Sequence, residues 1–250
     1  MHKRRQLPPE VELGIMPSEY SILGNQMKTK ILNLQFAFFL RDIVERPDID
    51  FGDLNNRMLN VFDAMPQMIP TPRELPPEVP VMILTSSNGS YSCNISRSRV
   101  DFTLSRIDDD KSNTDILKDF NVKISGLIKY ILEKQEIVRF GMVARYFHKD
   151  STATRTLRNK YFTSAVDGSE ELSLRCNKQS DSHGYKINDI LEISAVDAVT
   201  NGVSEKGILV LRDINNNLKQ NTHFDLDTLL KLSQKYAPKL SEAEIEGLVK

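Results

Sequence analysis

Between Lys28 and Leu40 the apolar residues fall at 32, 34, 36, 38 and 40. A two-residue period places them on one face of a strand. From Asp50 to Met65 the period changes. Leu54, Met58, Val61, Phe62 and Met65 recur at helical spacing, which predicts a helix that Asp50 or Asp53 caps and Pro66 ends. Residues 66–80 hold six prolines and read as an extended connector. Val81 to Leu84 is a short apolar strand, and Ser87-Asn88-Gly89-Ser90 is a turn, because Asn-Gly supplies the positive φ of a tight hairpin. Tyr91, Cys93 and Ile95, then Val100, Phe102 and Leu104, alternate with polar residues. Such alternation marks antiparallel strands with one apolar and one polar face.

Over Ser112 to Lys134 the helical period returns, with Ile116, Phe120, Ile124, Leu127, Ile128 and Ile131 in one stripe. Val138 to Tyr146 then alternates as a long strand. A short helix near 152–161 follows, then strands near 171–177, 185–196 and 206–213. A polar loop at 215–222 leads to a helix over 225–236, capped by Asp225 or Asp227. A last helix near 241–249 has Ser241 at its start.

This succession predicts an α+β fold, with antiparallel sheet backed by packed helices. The element order β-α-β-β-β-α occurs twice, which suggests a duplicated unit without any residue-level repeat. Residues 1–17 read as a flexible tail, 18–134 as a first half and 135–250 as a second half sharing one core with the first.

Composition narrows the class. The chain has 250 residues, 40% apolar and 27% charged, which is ordinary for a folded protein. Its 33 basic and 34 acidic residues give no overall pull toward nucleic acid or anionic lipid. Two cysteines, Cys93 and Cys176, fit free thiols in a reducing compartment better than a disulfide scaffold. The basic start Met1 to Arg5 is followed by no apolar segment of the kind a secretory signal needs. The stretch Ile31 to Leu40 is too short to span a bilayer. A cytoplasmic protein off the membrane is the expectation.

No phosphate-binding loop of either common type occurs, so no nucleotide cofactor is expected. Gly24, Gly89, Gly184 and Gly202 sit at expected turns. His2, His148, His183 and His223 lack zinc-ligand spacing, although Cys176 and His183 flank a predicted turn. No nucleophile elbow is present, and Cys93 falls on an apolar strand face. Asp109-Asp110-Lys111 offers the carboxylates and lysine of a magnesium-dependent nuclease, yet a solvated loop at the start of helix 112–134 explains them more simply. Asp213, at a strand end, is a further lone carboxylate.

The pleat fixes one more surface. If the alternating apolar residues face the core, the opposite sheet face carries Ser92, Asn94, Ser96, Arg99, Thr103, Arg139 and Arg145. That face is small, polar and basic, and suits a partner's strand or helix, a phosphate backbone, or water.

The strand Arg139-Phe140-Gly141-Met142-Val143-Ala144-Arg145-Tyr146-Phe147, with its Arg-Tyr pair, and the later strand Leu209-Val210-Leu211-Arg212-Asp213-Ile214 carry a resemblance. Together with the helix, hairpin and long helix before them, they resemble a sporadically distributed, largely uncharacterised bacterial family of about 250 residues, found among mobile or defence genes. The likeness covers about 20–250 and departs at His148, where members often carry Asn. It implies an architecture and a defence-like context, and no mechanism.

With no catalytic constellation in view, the leading expectation is a non-catalytic protein-binding subunit of an antiphage or toxin–antitoxin-like system, homo-oligomeric association included. The alternative is a nucleic-acid-binding module or metal-dependent nuclease using the basic face.

Overall fold

The period-2 segment forms β1, Thr29–Leu40, and the rest of the sheet grows outward from it. The computed structural model describes residues 28–49, 51–70, 72, 74–107, 110–200, 203–217 and 223–250. The expected tail over 1–17, together with Gly24 and Gly202, lies outside these. Phe36 and Phe38 are fully buried and stack with ring centroids 4.6 Å apart. Near its start β1 leaves strict alternation. The register slips between Ile31 and Asn33, so Ile31 is buried and Leu32, expected on the core face, is 41% exposed. A side-chain amide serves the backbone there. Asn113 accepts from the Ile31 N–H at 3.0 Å and donates to the Thr29 carbonyl at 2.7 Å.

The first helix, α1, covers only Phe51–Arg57, well short of Pro66. Leu59 and Asn60 take φ of 61° and 54°, a left-handed conformation that ends a helix. The Asn55 side chain both accepts from the Phe62 N–H and donates to its carbonyl, folding the chain back. Met58 and Phe62 still reach the core, whereas Met65 is 86% exposed. A helix followed by a turn thus mimics one helical stripe. The proline-bearing segment holds a two-residue strand, β2 (Gln67–Met68). Strands β3 (Pro80–Thr85), β4 (Tyr91–Ser96) and β5 (Arg99–Ser105) continue as an antiparallel meander.

Helix α2, Asn113–Leu132, buries the whole stripe from Ile116 to Ile131. The Ser112 hydroxyl accepts from the Asp115 N–H at 3.1 Å and caps it. Phe120 stacks on Phe102 at 5.3 Å, and each such side chain contributes roughly 1.5–3 kcal/mol by burial.

The second half runs β6 (Ile137–Lys149), α3 (Ala153–Tyr161), β7 (Ser173–Ser182), β8 (Tyr185–Thr200), β9 (Val203–Asn216), α4 (Leu226–Tyr236) and α5 (Glu242–Val249). The last three strands outrun their apolar segments, because polar residues such as Lys178 to Asp181 continue the ladder. Asp225 caps α4 by accepting from the Thr228 N–H at 2.7 Å, whereas Asp227 pairs with Lys231. Ser241 caps α5.

Among the described residues, nine strands join one antiparallel sheet in the order β2-β3-β4-β5-β1-β6-β9-β8-β7. Outward from the central β1–β6 pair, one side reads β1, β5, β4, β3 and the other β6, β9, β8, β7. Each half therefore places its first strand inside and then its remaining strands in reverse order, the first half adding the two-residue β2 at its edge. This is one topology used twice, the two copies meeting at the antiparallel β1–β6 pair. The halves share a continuous core to which each of the five α-helices among the described residues contributes, including Leu54, Ile124, Leu157, Leu229 and Ile245. No described helix is long and apolar enough to cross a membrane.

Candidate functional site

Because the helices pack on the face that carries Leu34, Phe36 and Phe38, the pleat turns the alternate residues to the other side. No described helix covers that side. The strand register then orders the face into rows. One row runs Ser92, Thr103, Gln35, Val143, Asp213, Ile190; another runs Asn94, Asp101, Ala37, Gly141, Asn215, Asn188.

Five of the six sequence-derived candidates lie on this face: Ser92, Asn94, Arg99, Arg139 and Arg145. Thr103 joins them. Ser96 does not. It is 2% exposed, donates its hydroxyl hydrogen to the Arg99 carbonyl, and lines a pocket on the helix side. The strand ends there in a tight hairpin, and alternation no longer governs direction.

The arginines are not equivalent. Phe39 sits between Arg99 and Arg139 on neighbouring strands, their guanidinium carbons 4.7 and 4.8 Å from its ring centroid. Such stacking is worth about 0.5–1 kcal/mol where exposed and more where desolvated. The Nε of each is buried without a hydrogen-bond partner. Arg99 also donates to Asp101 at 2.6 Å, and Asp101 accepts from Gln35 at 2.8 Å. Arg145 donates to Asn33 at 2.8 Å. Much of the expected positive charge is thus held within the face.

The sequence reading missed the continuation across β9 and β8. Leu209, Leu211, Ile190 and Val196 share the face with Val143 and Phe147. Charged groups stand among them: Asp213 lies between Val143 and Ile190, and Leu211 lies between Arg145 and Glu192, which pairs with Arg175 at 2.6 Å. The signal was present. Ile208 to Leu211 is apolar without alternation, and such a run places apolar groups on both faces. Phe147 is 8% exposed, and its ring lies over Gly207, where a Cβ would stand 2.4 Å from it.

Other polar clusters are enclosed under the helices. Arg212 and Asp189 form a bidentate pair at 2.8 and 2.9 Å, joined by Lys239 at 2.5 Å. Burial works to raise the Asp189 carboxyl, but the two cations outweigh it and hold it below its ordinary range. His148 Nδ1 meets the Thr29 hydroxyl at 2.7 Å, which in turn reaches Glu246 at 3.1 Å. Burial, with Lys28 nearby, pushes this imidazole below its ordinary value. Hydroxyl, imidazole and carboxylate are the groups of acyl-transfer chemistry, but Thr29 and His148 are 0% and 1% exposed and no substrate reaches them. Burial drives the Cys93 thiol far up, so it stays protonated.

Cys176 and His183 stand apart, His183 in the turn beyond β7 and about 23 Å of strand from Cys176. Asp109 lies outside the described residues, while Asp213 accepts from Asn215 at 2.9 Å. Among the described residues no three of His, Cys, Asp and Glu gather where a metal ion would sit. No protein-family model and no curated protein sequence matches the chain.

Proposed function

We propose that this chain is a non-catalytic binding subunit that engages a protein partner through the helix-free face of its sheet. The observation that carries this reading is the group of apolar side chains Val143, Phe147, Ile190, Leu209 and Leu211 on that face, interleaved with Arg145, Asp213 and Glu192. Apolar side chains interspersed with charged and amide groups also make up protein–protein interfaces. The defence-like context implied by the sequence resemblance belongs to the same proposal, with the products of neighbouring genes as the first partners to try and a second copy as another. Size-exclusion chromatography with light scattering, on the protein alone and mixed with each neighbour, tests it. A complex or oligomer that the L211E variant cannot form supports the reading. A monomer that captures no neighbour contradicts it.

The nucleic-acid alternative has less support, because Asp101, Asp213 and Glu192 share the face with the arginines. Salt-dependent retention on filters, lost in R139A, would instead favour it.

A further inference from the structure

Each half of the duplicated topology leaves a cleft at the corresponding place, between its first helix and the end of its inner β-hairpin. The two clefts have opposite chemistry. Near α3 in the second half the cleft is broad and polar, lined by Arg155, Arg158, Glu170, Glu171, Asp197 and Lys206. Near α1 in the first half it is a pocket of about 400 Å³ walled by Val44, Phe51, Leu54, Val100, Leu127 and Ile131. The fold therefore does not dictate an apolar lining; these side chains do. Packed interiors leave few voids larger than a water molecule. Apolar cavities stay dry and take apolar guests, and ligand sites commonly fall in a range of roughly 300–1,000 Å³.

The polar side chains of the lining decide what kind of guest fits, and nearly all of them are engaged within the chain. Arg46 gives its Nε and Nη2 to Asp48 at 2.9 and 2.8 Å. Lys134 lies 4.8 Å from the Tyr130 ring centroid and 3.8 Å from an Asp53 oxygen, with Glu133 within electrostatic reach. The Ser96 hydroxyl donates to the Arg99 carbonyl at 2.9 Å and accepts from the Ser98 N–H at 3.3 Å. Both cations are thus matched to carboxylates of the chain, so a charged guest would lose water without gaining an unpaired countercharge. Gln135 differs. Its backbone N–H bonds the Ile131 carbonyl at 2.7 Å and holds the residue at the end of α2, while its side-chain amide makes no hydrogen bond to a described residue. That amide offers both a donor and an acceptor.

We infer that this first-half pocket is a binding site for a small neutral amphiphile, a medium-length hydrocarbon body with one hydroxyl or carbonyl group. The body fills the space between α1, α2 and the β4–β5 hairpin. The polar group exchanges a hydrogen bond with the Gln135 amide.

Isothermal titration with 1-octanol, and with octanoate and octylammonium as charged counterparts of the same length, tests this on the full chain. Saturable one-to-one binding of octanol is expected, with both charged probes at least about tenfold weaker. V44W, which fills the space from a half-buried wall, should weaken octanol at least about tenfold with an unchanged circular dichroism spectrum. Q135A should weaken octanol roughly two- to tenfold, as one lost hydrogen bond does, and leave toluene, which has no polar group, as it was. Methyl NMR locates the guest without any variant, because octanol should shift the Val44, Val100 and Leu127 methyl signals. Absence of saturable heat up to about 1 mM octanol overturns the site. Octanoate or octylammonium binding as tightly as octanol overturns the neutral class of ligand. Equal effects of Q135A on octanol and toluene overturn the role of the amide. Undiminished binding by a folded V44W, or unmoved methyl signals at saturation, overturns the location.

Discussion

Arg212 and Asp189 are diagonal neighbours on β9 and β8, and their pairing ties the sheet to the Ala237–Leu240 turn through Lys239 and the Lys239 carbonyl. Removing one member strands a buried charge. R212M should therefore lower stability by about 3–5 kcal/mol in urea unfolding, whereas the double variant R212M/D189L should recover much of that loss. His148 makes stability depend on pH. The unfolded chain takes up its proton near the ordinary value of 6.5, and the folded chain only at lower pH. Between these values the unfolded state holds more protons, so stability falls as the pH drops below about 6.5. Urea midpoints measured from pH 7.5 to 5 should show this decline in the native chain and a flatter profile in H148N.

Among the elements, those that local chemistry defines were legible in the sequence. Helix α2 follows its stripe, and Ser112, Asp225 and Ser241 cap as side-chain oxygens do at helix starts. Asp225 and Asp227 were interchangeable on paper, and the backbone separates them. D225A should cost about 1 kcal/mol in thermal or urea unfolding as a lost cap, while D227A should cost under about 0.5 kcal/mol as an exposed pair. What escaped the sequence was set by backbone geometry that periodicity does not carry. The slip at Ile31 turned Leu32 outward, and left-handed Leu59 and Asn60 cut α1 short. Ser96 was misassigned for the same reason, at a hairpin end. Gly207 shows the reverse case, a residue whose role appears only in space. G207A would drive a methyl group into the Phe147 ring and the His148 carbonyl, and should cost about 1–3 kcal/mol as overpacking.

At the scale of the whole molecule, the doubled topology explains why the described helices leave one face uncovered. Each half packs its described helices on the same side of the sheet, so joining the halves at β1–β6 extends the helix layer and the bare face together. The polar first-half part of that face was readable from alternation. Its apolar continuation required knowing that β9 and then β8 lie beside β6, a pairing between residues far apart in sequence. Leu209 and Leu211 are half-buried and lie outside the core cluster, so charged replacements there should disturb binding more than folding. The most direct measurement is light scattering of the chain and its L209E/L211E variant, each with the products of the neighbouring genes. The native chain is expected to form a defined complex or oligomer that the variant loses while keeping the native unfolding midpoint. A native chain that stays monomeric with every neighbour, or a variant that assembles as well as the native chain, would contradict a partner-binding role for this face.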